Sequence, residues 1–207
     1  MDYIENIYVC LTAPLLITAI CLRGKGQKMI LFLLGGMTVC LLSSYVSTFM
    51  AYVSGADMLT ASLDISPLVE EGMKFLPILF YLLVFEPEKR AISDASLLVA
   101  VGFATFENVC YLTQNGASHI LQLLIRGFGT GAMHVVCGMI VAFGLLYLWD
   151  RIWIRIAGTI GLLALAMTYH GIYNILVSQS GAVVFIGYFI PMITILAFLV
   201  WRKPQRQ

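Results

Sequence analysis

Residues 65–84 read I-S-P-L-V-E-E-G-M-K-F-L-P-I-L-F-Y-L-L-V, an apolar stretch with two glutamates and a lysine in its first half. About 20 predominantly apolar residues make a helix long enough to cross the hydrocarbon core of a bilayer. Pro67 suits the first turn of such a helix, where its missing N–H leaves no hydrogen bond unmade. Each charged side chain at membrane depth costs about 3 kcal/mol on insertion scales. Glu70, Glu71 and Lys74 are therefore expected to face a protein interior rather than lipid.

The rest of the sequence has the same apolar character. Of its 207 residues, 60% are hydrophobic and only 11% are charged, whereas roughly a quarter are charged in a soluble domain. We predict an all-α fold, a polytopic membrane helix bundle of about seven transmembrane helices that forms one domain over residues 1–207. The predicted spans lie near residues 3–22, 29–53, 65–84, 92–113, 120–148, 156–177 and 182–201.

The basic residues indicate the orientation of this bundle. Of the 12 lysines and arginines, all but two lie in predicted loops or tails, and seven spans place these on one side of the membrane. They are Arg23, Lys25, Lys28, Lys89, Arg90, Arg151, Arg155, Arg202, Lys203 and Arg206. The positive-inside rule then puts the N-terminus outside and the C-terminus in the cytoplasm. The net charge of +1 gives no indication of nucleic-acid binding.

The fourth and fifth spans also carry polar groups. Glu107 and Asn108 are adjacent in the fourth span, and Arg126 and His134 lie two helical turns apart in the fifth. A buried Glu–Asn pair can simply join two helices, and a buried histidine can simply be hydrogen-bonded in a core. In the same span, glycines 127 and 131 form a G-x-x-x-G pattern, which is typical of close helix contact.

The sixth span ends with His170 and, one turn later, Asn174, which we expect to hold the imidazole in one orientation. His119 lies at the predicted outer end of the fifth span and is expected to have no chemical role. The rise of 1.5 Å per residue places the third, fourth and sixth spans' ionisable groups roughly 10 Å below the outer surface. Several helices thus deliver carboxyl and imidazole groups to broadly one layer.

This set of groups is suited to hydrolysis by an activated water. A glutamate can act as general base, and histidines can polarise a carbonyl group or donate to an oxyanion. The alternative is a zinc ion held by His134, His170 and either Glu70 or Glu71, with one position open for water. Because the sequence has no H-E-x-x-H and no G-x-S-x-G motif, a zincin-type site and a serine mechanism are disfavoured.

The order of these motifs resembles the PrsW family of membrane proteases, which is related to the CAAX prenyl proteases and the Abi (CPBP) proteins. The motifs are E-E-x-x-K from Glu70, F-x-x-x-E-N from Phe103, a histidine at His134 and H-x-x-x-N from His170. The resemblance implies a catalytic core over residues 65–177. The catalytic residues that it implies are Glu70, Glu71, Glu107, His134 and His170, and the supporting residues are Lys74, Asn108, Arg126 and Asn174.

The resemblance also implies an activity and a location. The chain would be an endopeptidase of the bacterial plasma membrane that cleaves a single-pass membrane protein, such as an anti-sigma factor, near the outer face of the bilayer. Glu107 stands where the CAAX branch has a histidine, which favours PrsW over a CAAX-type prenyl protease. A proton- or cation-coupled transporter and a non-catalytic membrane scaffold are the alternatives from other functional classes.

Overall fold

The protein is described here by a computed structural model covering residues 4–116 and 120–201. Within these ranges the chain forms seven long helices and one short helical connection. The long helices are α1 (Ile4–Cys21), α2 (Lys25–Ser54), α4 (Ser66–Phe85), α5 (Lys89–Asn115), α6 (Ile120–Leu148), α7 (Ile152–Val177) and α8 (Ala182–Trp201). Each predicted span falls on one of them, and the all-α prediction is confirmed.

Six of the seven long helices described are long and apolar enough to cross a membrane. The exception is α4, which carries Glu70, Glu71 and Lys74 within its apolar sequence. Pro67 lies in the first turn of α4, as predicted. His119, which was expected to have no chemical role, lies outside the described residues.

The connection between α2 and α4 is helical, although the sequence suggested a loop. It consists of α3 (Met58–Thr60) and a π-helical turn (Ala61–Ile65) that leads directly into α4. The Thr60 backbone N–H donates to Asp57 Oδ1 at 2.7 Å, and this hydrogen bond lowers the pKa of the Asp57 carboxyl. Asp57 therefore caps the short helix as a carboxylate acceptor.

Burial distinguishes the central helices from the peripheral ones. Half of the apolar window of α6 and 44% of that of α5 are buried, against 11% for α1 and for α8. The core thus lies around α5 and α6. A peripheral helix with such low burial leaves most of its apolar surface for lipid, which the exposed Leu16, Ile17 and Ile20 of α1 illustrate.

The closest helix crossing lies between α2 and α5. A Cβ atom on Gly36 would lie 2.2 Å from the Val99 carbonyl oxygen, and one on Gly102 would lie 2.1 Å from that of Leu33. In α6, close helix contact was predicted at the G-x-x-x-G of Gly127 and Gly131. A Cβ on Gly131 would meet nothing within 4 Å, whereas one on Gly129, which lies between them, would lie 3.1 Å from Tyr188 Cα of α8. The close contact of this glycine run is therefore at Gly129. Beyond the Gly36–Gly102 crossing, α2 and α5 line one cavity toward each end of the bundle.

Candidate active site

A buried polar network joins α4, α6 and α7. Lys74 Nζ lies 2.5 Å from Glu71 Oε1 and 2.9 Å from His134 Nδ1. His170 Nδ1 lies 2.8 Å from the same oxygen of Glu71. None of these four residues is more than 6% exposed. We call Glu71, Lys74, His134 and His170 the inner network.

The partners fix the tautomers of both imidazoles. A lysine ammonium group only donates hydrogen bonds, so His134 Nδ1 must accept from Lys74, and its Nε2–H donates to Glu107 Oε2 at 2.5 Å. A carboxylate only accepts, so His170 donates through Nδ1–H to Glu71. The lone pair on His170 Nε2 is left free for a further partner.

Two further carboxylates lie between the inner network and a cavity of about 570 Å³, which they line. We call Glu70 and Glu107 the outer pair. Their side chains are 17% and 30% exposed. Glu70 Oε2 is buried without a hydrogen-bond partner, and it lies 3.8 Å from His170 Nε2. An unpaired carboxylate oxygen in a protein interior is costly unless a substrate, water or ion binds it.

Arg126 supports the second member of the outer pair. Its Nη1 donates to Asn108 Oδ1 at 2.8 Å, and its Nη2 lies 3.6 Å from Glu107 Oε1. The guanidinium group also lies 3.5 Å from the centre of the Tyr111 ring. The Asn108 amide in turn donates to the Gly127 carbonyl at 3.4 Å. Glu107 is therefore held from both sides, by His134 and by Arg126.

The structure brings together eight of the nine residues that the sequence indicated. They are Glu70, Glu71, Lys74, Glu107, Asn108, Arg126, His134 and His170. Three of these side chains are carboxylates and two, Lys74 and Arg126, are cationic groups, which leaves one net negative charge when all five are charged and both histidines are neutral. A site of this charge attracts a proton or a metal cation.

Asn174 does not orient His170, and this expectation is corrected. Its amide donates to the Ser62 carbonyl at 2.9 Å, and the imidazole is held instead by Glu71. The helical connection before α4 places a free carbonyl group beside α7. Asn174 thus fixes this connection to α7.

The structure decides which of the two adjacent glutamates pairs with Lys74. Glu70 lies four residues and Glu71 three residues before Lys74, and Lys74 bonds to Glu71. Both spacings bring side chains together on a helix. The position of His170 decides between them, because its Nδ1–H donates to the same Glu71 oxygen that receives Lys74.

Sequence reasoning missed the contribution of α2. Cys40, Ser43 and Ser47 line the same cavity as the outer pair, and Ser47 Oγ has no hydrogen-bond partner. The signal was the run S-S-Y-V-S-T at residues 43–48. Its hydroxyl groups are unusually dense for a lipid-facing helix.

The residues present fit a metal ion in part. Glu70, His134 and His170 each offer a ligand atom, and these atoms lie within 4.8 Å of one another. Glu70 Oε2 and His170 Nε2 have no other hydrogen-bond partner, and the Glu71 bond to His170 is the kind that orients a metal-binding histidine. Both nitrogens of His134 are occupied by Lys74 and Glu107, so His134 can become a ligand only by giving up one bond.

No curated protein and no solved structure gives a significant match. Residues 25–201 match the family described as PrsW family intramembrane metalloprotease. The match extends from α2 to α8 and includes every residue of the inner network and the outer pair. The chain therefore belongs to the PrsW family of intramembrane metalloproteases.

Proposed function

We propose that this protein is a membrane-embedded endopeptidase that hydrolyses a peptide bond of a single-pass membrane protein, with Glu70 as the base that activates water. The observation that carries the proposal is the Glu70 carboxylate. It is the carboxylate of the site that combines a partnerless oxygen with a position on the cavity wall. A general base must have such an oxygen, because it has to receive a proton from a bound water.

Glu71 is poorly placed for the same role. Its Oε1 accepts hydrogen bonds from Lys74 and from His170 at 2.8 Å or less, and Glu71 is only 3% exposed. A carboxylate with these two donors is stabilised in its charged form and does not need a further proton. Glu71 therefore positions Lys74 and His170.

The remaining groups divide the other requirements of amide hydrolysis. As water attacks the carbonyl carbon, its proton passes to Glu70, and the same proton can then reach the leaving nitrogen as the C–N bond breaks. The oxygen that gains negative charge needs a donor in a site with little water. Arg126 lines the cavity beside Glu107, and we assign it to this electrostatic role.

A metal-dependent form of the reaction uses the same residues. Glu70, His134 and His170 would hold a zinc ion, which when bound supplies Lewis-acid stabilisation and an acidified water. The family description favours this form. The Lys74 bond to His134 favours the form that depends on glutamate alone, since a metal competes with that ammonium group for His134.

The cavity supports cleavage near the outer face. Its lining includes Asp57 and Met58 of the connection after α2 and Gln114 near the end of α5. These are the ends opposite the basic residues that the positive-inside rule assigns to the cytoplasm. A membrane-bound anti-sigma factor of a bacterial plasma membrane, cut outside the bilayer, is a substrate of the required kind.

Cleavage of co-expressed, doubly tagged single-pass proteins, anti-sigma factors among them, tests the proposal. The wild type should release a fragment cut near the outer face, and Glu70→Gln should release none while inserting normally. Glu71→Gln and Lys74→Gln, which alter the inner network and keep the Glu70 carboxylate, are measured in the same assay. Full cleavage by Glu70→Gln would exclude Glu70 as base. One zinc ion bound per molecule of purified wild-type protein, and lost in His170→Ala, would select the metal-dependent form.

A further inference from the structure

A second cavity lies at the opposite end of the bundle from the active site. It has a volume of about 330 Å³ and is formed where α2 and α5 begin, on the far side of the Gly36–Gly102 crossing. Its charged lining residues are Lys25, Lys28, Glu88, Arg90 and Asp94. Nothing in the proposed peptidase mechanism uses these groups.

The charges of this cavity are only partly balanced. Lys25 Nζ lies 3.7 Å from Asp94 Oδ2, whereas the side chains of Lys28 and Arg90 form no hydrogen bond or ion pair with any residue that the structure describes. Glu88 makes no side-chain cap on α5. Three cations therefore face two carboxylates, and two of the cations have no partner.

Both helices present their N-termini to the cavity. α2 follows Gly24 and α5 follows Glu88, and neither residue caps its helix with a side-chain hydrogen bond. The first N–H groups of a helix lack internal partners and carry the positive end of the helix dipole. An anion in this cavity would thus be attracted by backbone and side chains together.

A largely buried tyrosine also lines the cavity, and its hydroxyl group has no partner among the described residues. Tyr81 is 8% exposed and lines the cavity, but its OH makes no hydrogen bond with the described residues. Its ring packs edge-on against Phe32, with centroids 4.8 Å apart. Because this hydroxyl group opens into the cavity, it is free to donate to a polar ligand atom at the depth of the ring.

We propose that this cavity binds the phosphate group of an anionic phospholipid. The cationic end of the cavity would hold the phosphate, with the Tyr81 hydroxyl donating to a phosphate or ester oxygen. The inner lining is apolar at Met29, Phe32 and Leu98, and Leu31 on the adjoining face is 48% exposed. The acyl chains of a phospholipid can pack against this apolar surface, whereas a free phosphate ion makes no apolar contact. Basic pockets between transmembrane helices are a general form of lipid head-group site.

Lipid binding to purified, delipidated full-length protein tests the proposal. Native mass spectrometry should show phosphatidylglycerol retained at least tenfold more tightly than phosphatidylcholine. Lys28→Gln and Arg90→Gln should each weaken retention of phosphatidylglycerol about fivefold, the effect of about one basic residue near an anionic lipid. Tyr81→Phe, which keeps the ring, should weaken it about tenfold through loss of a hydrogen bond to a charged group.

Matched controls separate this site from general attraction to anionic lipid. Arg151→Gln removes one positive charge from the same predicted side without touching the cavity, and it should leave retention unchanged. Equal loss in Arg151→Gln and Lys28→Gln, or no loss in any cavity variant, would overturn the site. Thermal stabilisation by millimolar inorganic phosphate equal to that by phosphatidylglycerol would overturn the assignment to a lipid.

Discussion

The inner network and the outer pair are neighbours that differ in how completely their hydrogen bonds are made. In the inner network, Lys74 and Glu71 each serve two partners, and every residue is almost fully buried. In the outer pair, Glu70 has an oxygen without a partner and both residues line the cavity. Apart from His170 Nε2, the imidazole nitrogens of the inner network are all hydrogen-bonded. Such a network stabilises one geometry, whereas an open group can exchange a proton or bind a ligand. We therefore propose a positioning role for the inner network and a chemical role for the outer pair.

The largest expected effect on activity is that of Glu70→Gln. The amide keeps the shape of the side chain but cannot take a proton, so peptide cleavage should fall at least about 1,000-fold, as for loss of a general base. Because Glu70 Oε2 makes no hydrogen bond, the thermal unfolding temperature in detergent should stay close to that of the wild type. Cleavage rates and unfolding temperatures of the same preparations check both parts. A large drop in unfolding temperature would show that Glu70 stabilises the fold, as the residues of the inner network do.

The inner network should respond in the opposite way. Lys74→Met removes the cation of a buried pair and leaves Glu71 charged without it, which should cost about 3–5 kcal/mol of unfolding free energy. The variant also loses the Lys74 bond to His134. Unfolding in mixed detergent micelles measures the change.

The matched control for this variant is the double substitution Glu71→Gln with Lys74→Met. It removes both charges and should recover most of the lost stability, because the uncompensated carboxylate is gone. Activity should stay low in the double variant, since His170 has lost the carboxylate that orients it. A double variant as unstable as Lys74→Met would show that charge balance is not what Lys74 contributes.

The sequence was sufficient to predict the layer of polar groups but not the pairing within it. Apolar length and helical rise brought Glu70, Glu107 and His170 to one depth, and the structure brings these residues together. Helical spacing could not decide whether Glu70 or Glu71 joins Lys74, because residues three and four apart are both neighbours. Glu71 is the partner of Lys74 because His170, on another helix, donates to the same Glu71 oxygen. The spacing within α4 alone contains no information on that contact.

Arg126 supports the outer pair through its contact with Glu107. Arg126→Gln removes the positive charge 3.6 Å from Glu107 and weakens the bond to Asn108. We expect kcat/KM for a cleaved substrate to fall about tenfold, roughly the 1.4 kcal/mol of one charge-assisted hydrogen bond. Arg126→Lys should recover little, because an ammonium group cannot bond Asn108 and stack on Tyr111 in the same geometry. Unchanged kcat/KM in Arg126→Gln would remove Arg126 from the electrostatic role.

The helical structure of the short connection before α4 was not predicted from the sequence. Residues 54–64 lack the length and periodicity of a transmembrane helix, so the sequence indicated a loop. Their helical and π-helical turns depend on the Asp57 cap and on the bond from Asn174 to the Ser62 carbonyl. Because that partner lies 112 residues away in the chain, the sequence indicated His170, one helical turn from Asn174, as the group that Asn174 holds.

The smallest expected effect tests this correction directly. Asn174→Ala removes one hydrogen bond to a backbone carbonyl, so it should cost about 1 kcal/mol of unfolding free energy and change cleavage less than about threefold. Ser62→Ala keeps that carbonyl and should be silent, whereas His170→Ala should abolish cleavage. If Asn174→Ala reduced cleavage as strongly as His170→Ala at equal stability, Asn174 would be acting through the imidazole. Glu71 would then lose its place as the group that orients His170, and the division between a positioning layer and a chemical layer would have to be redrawn around α7.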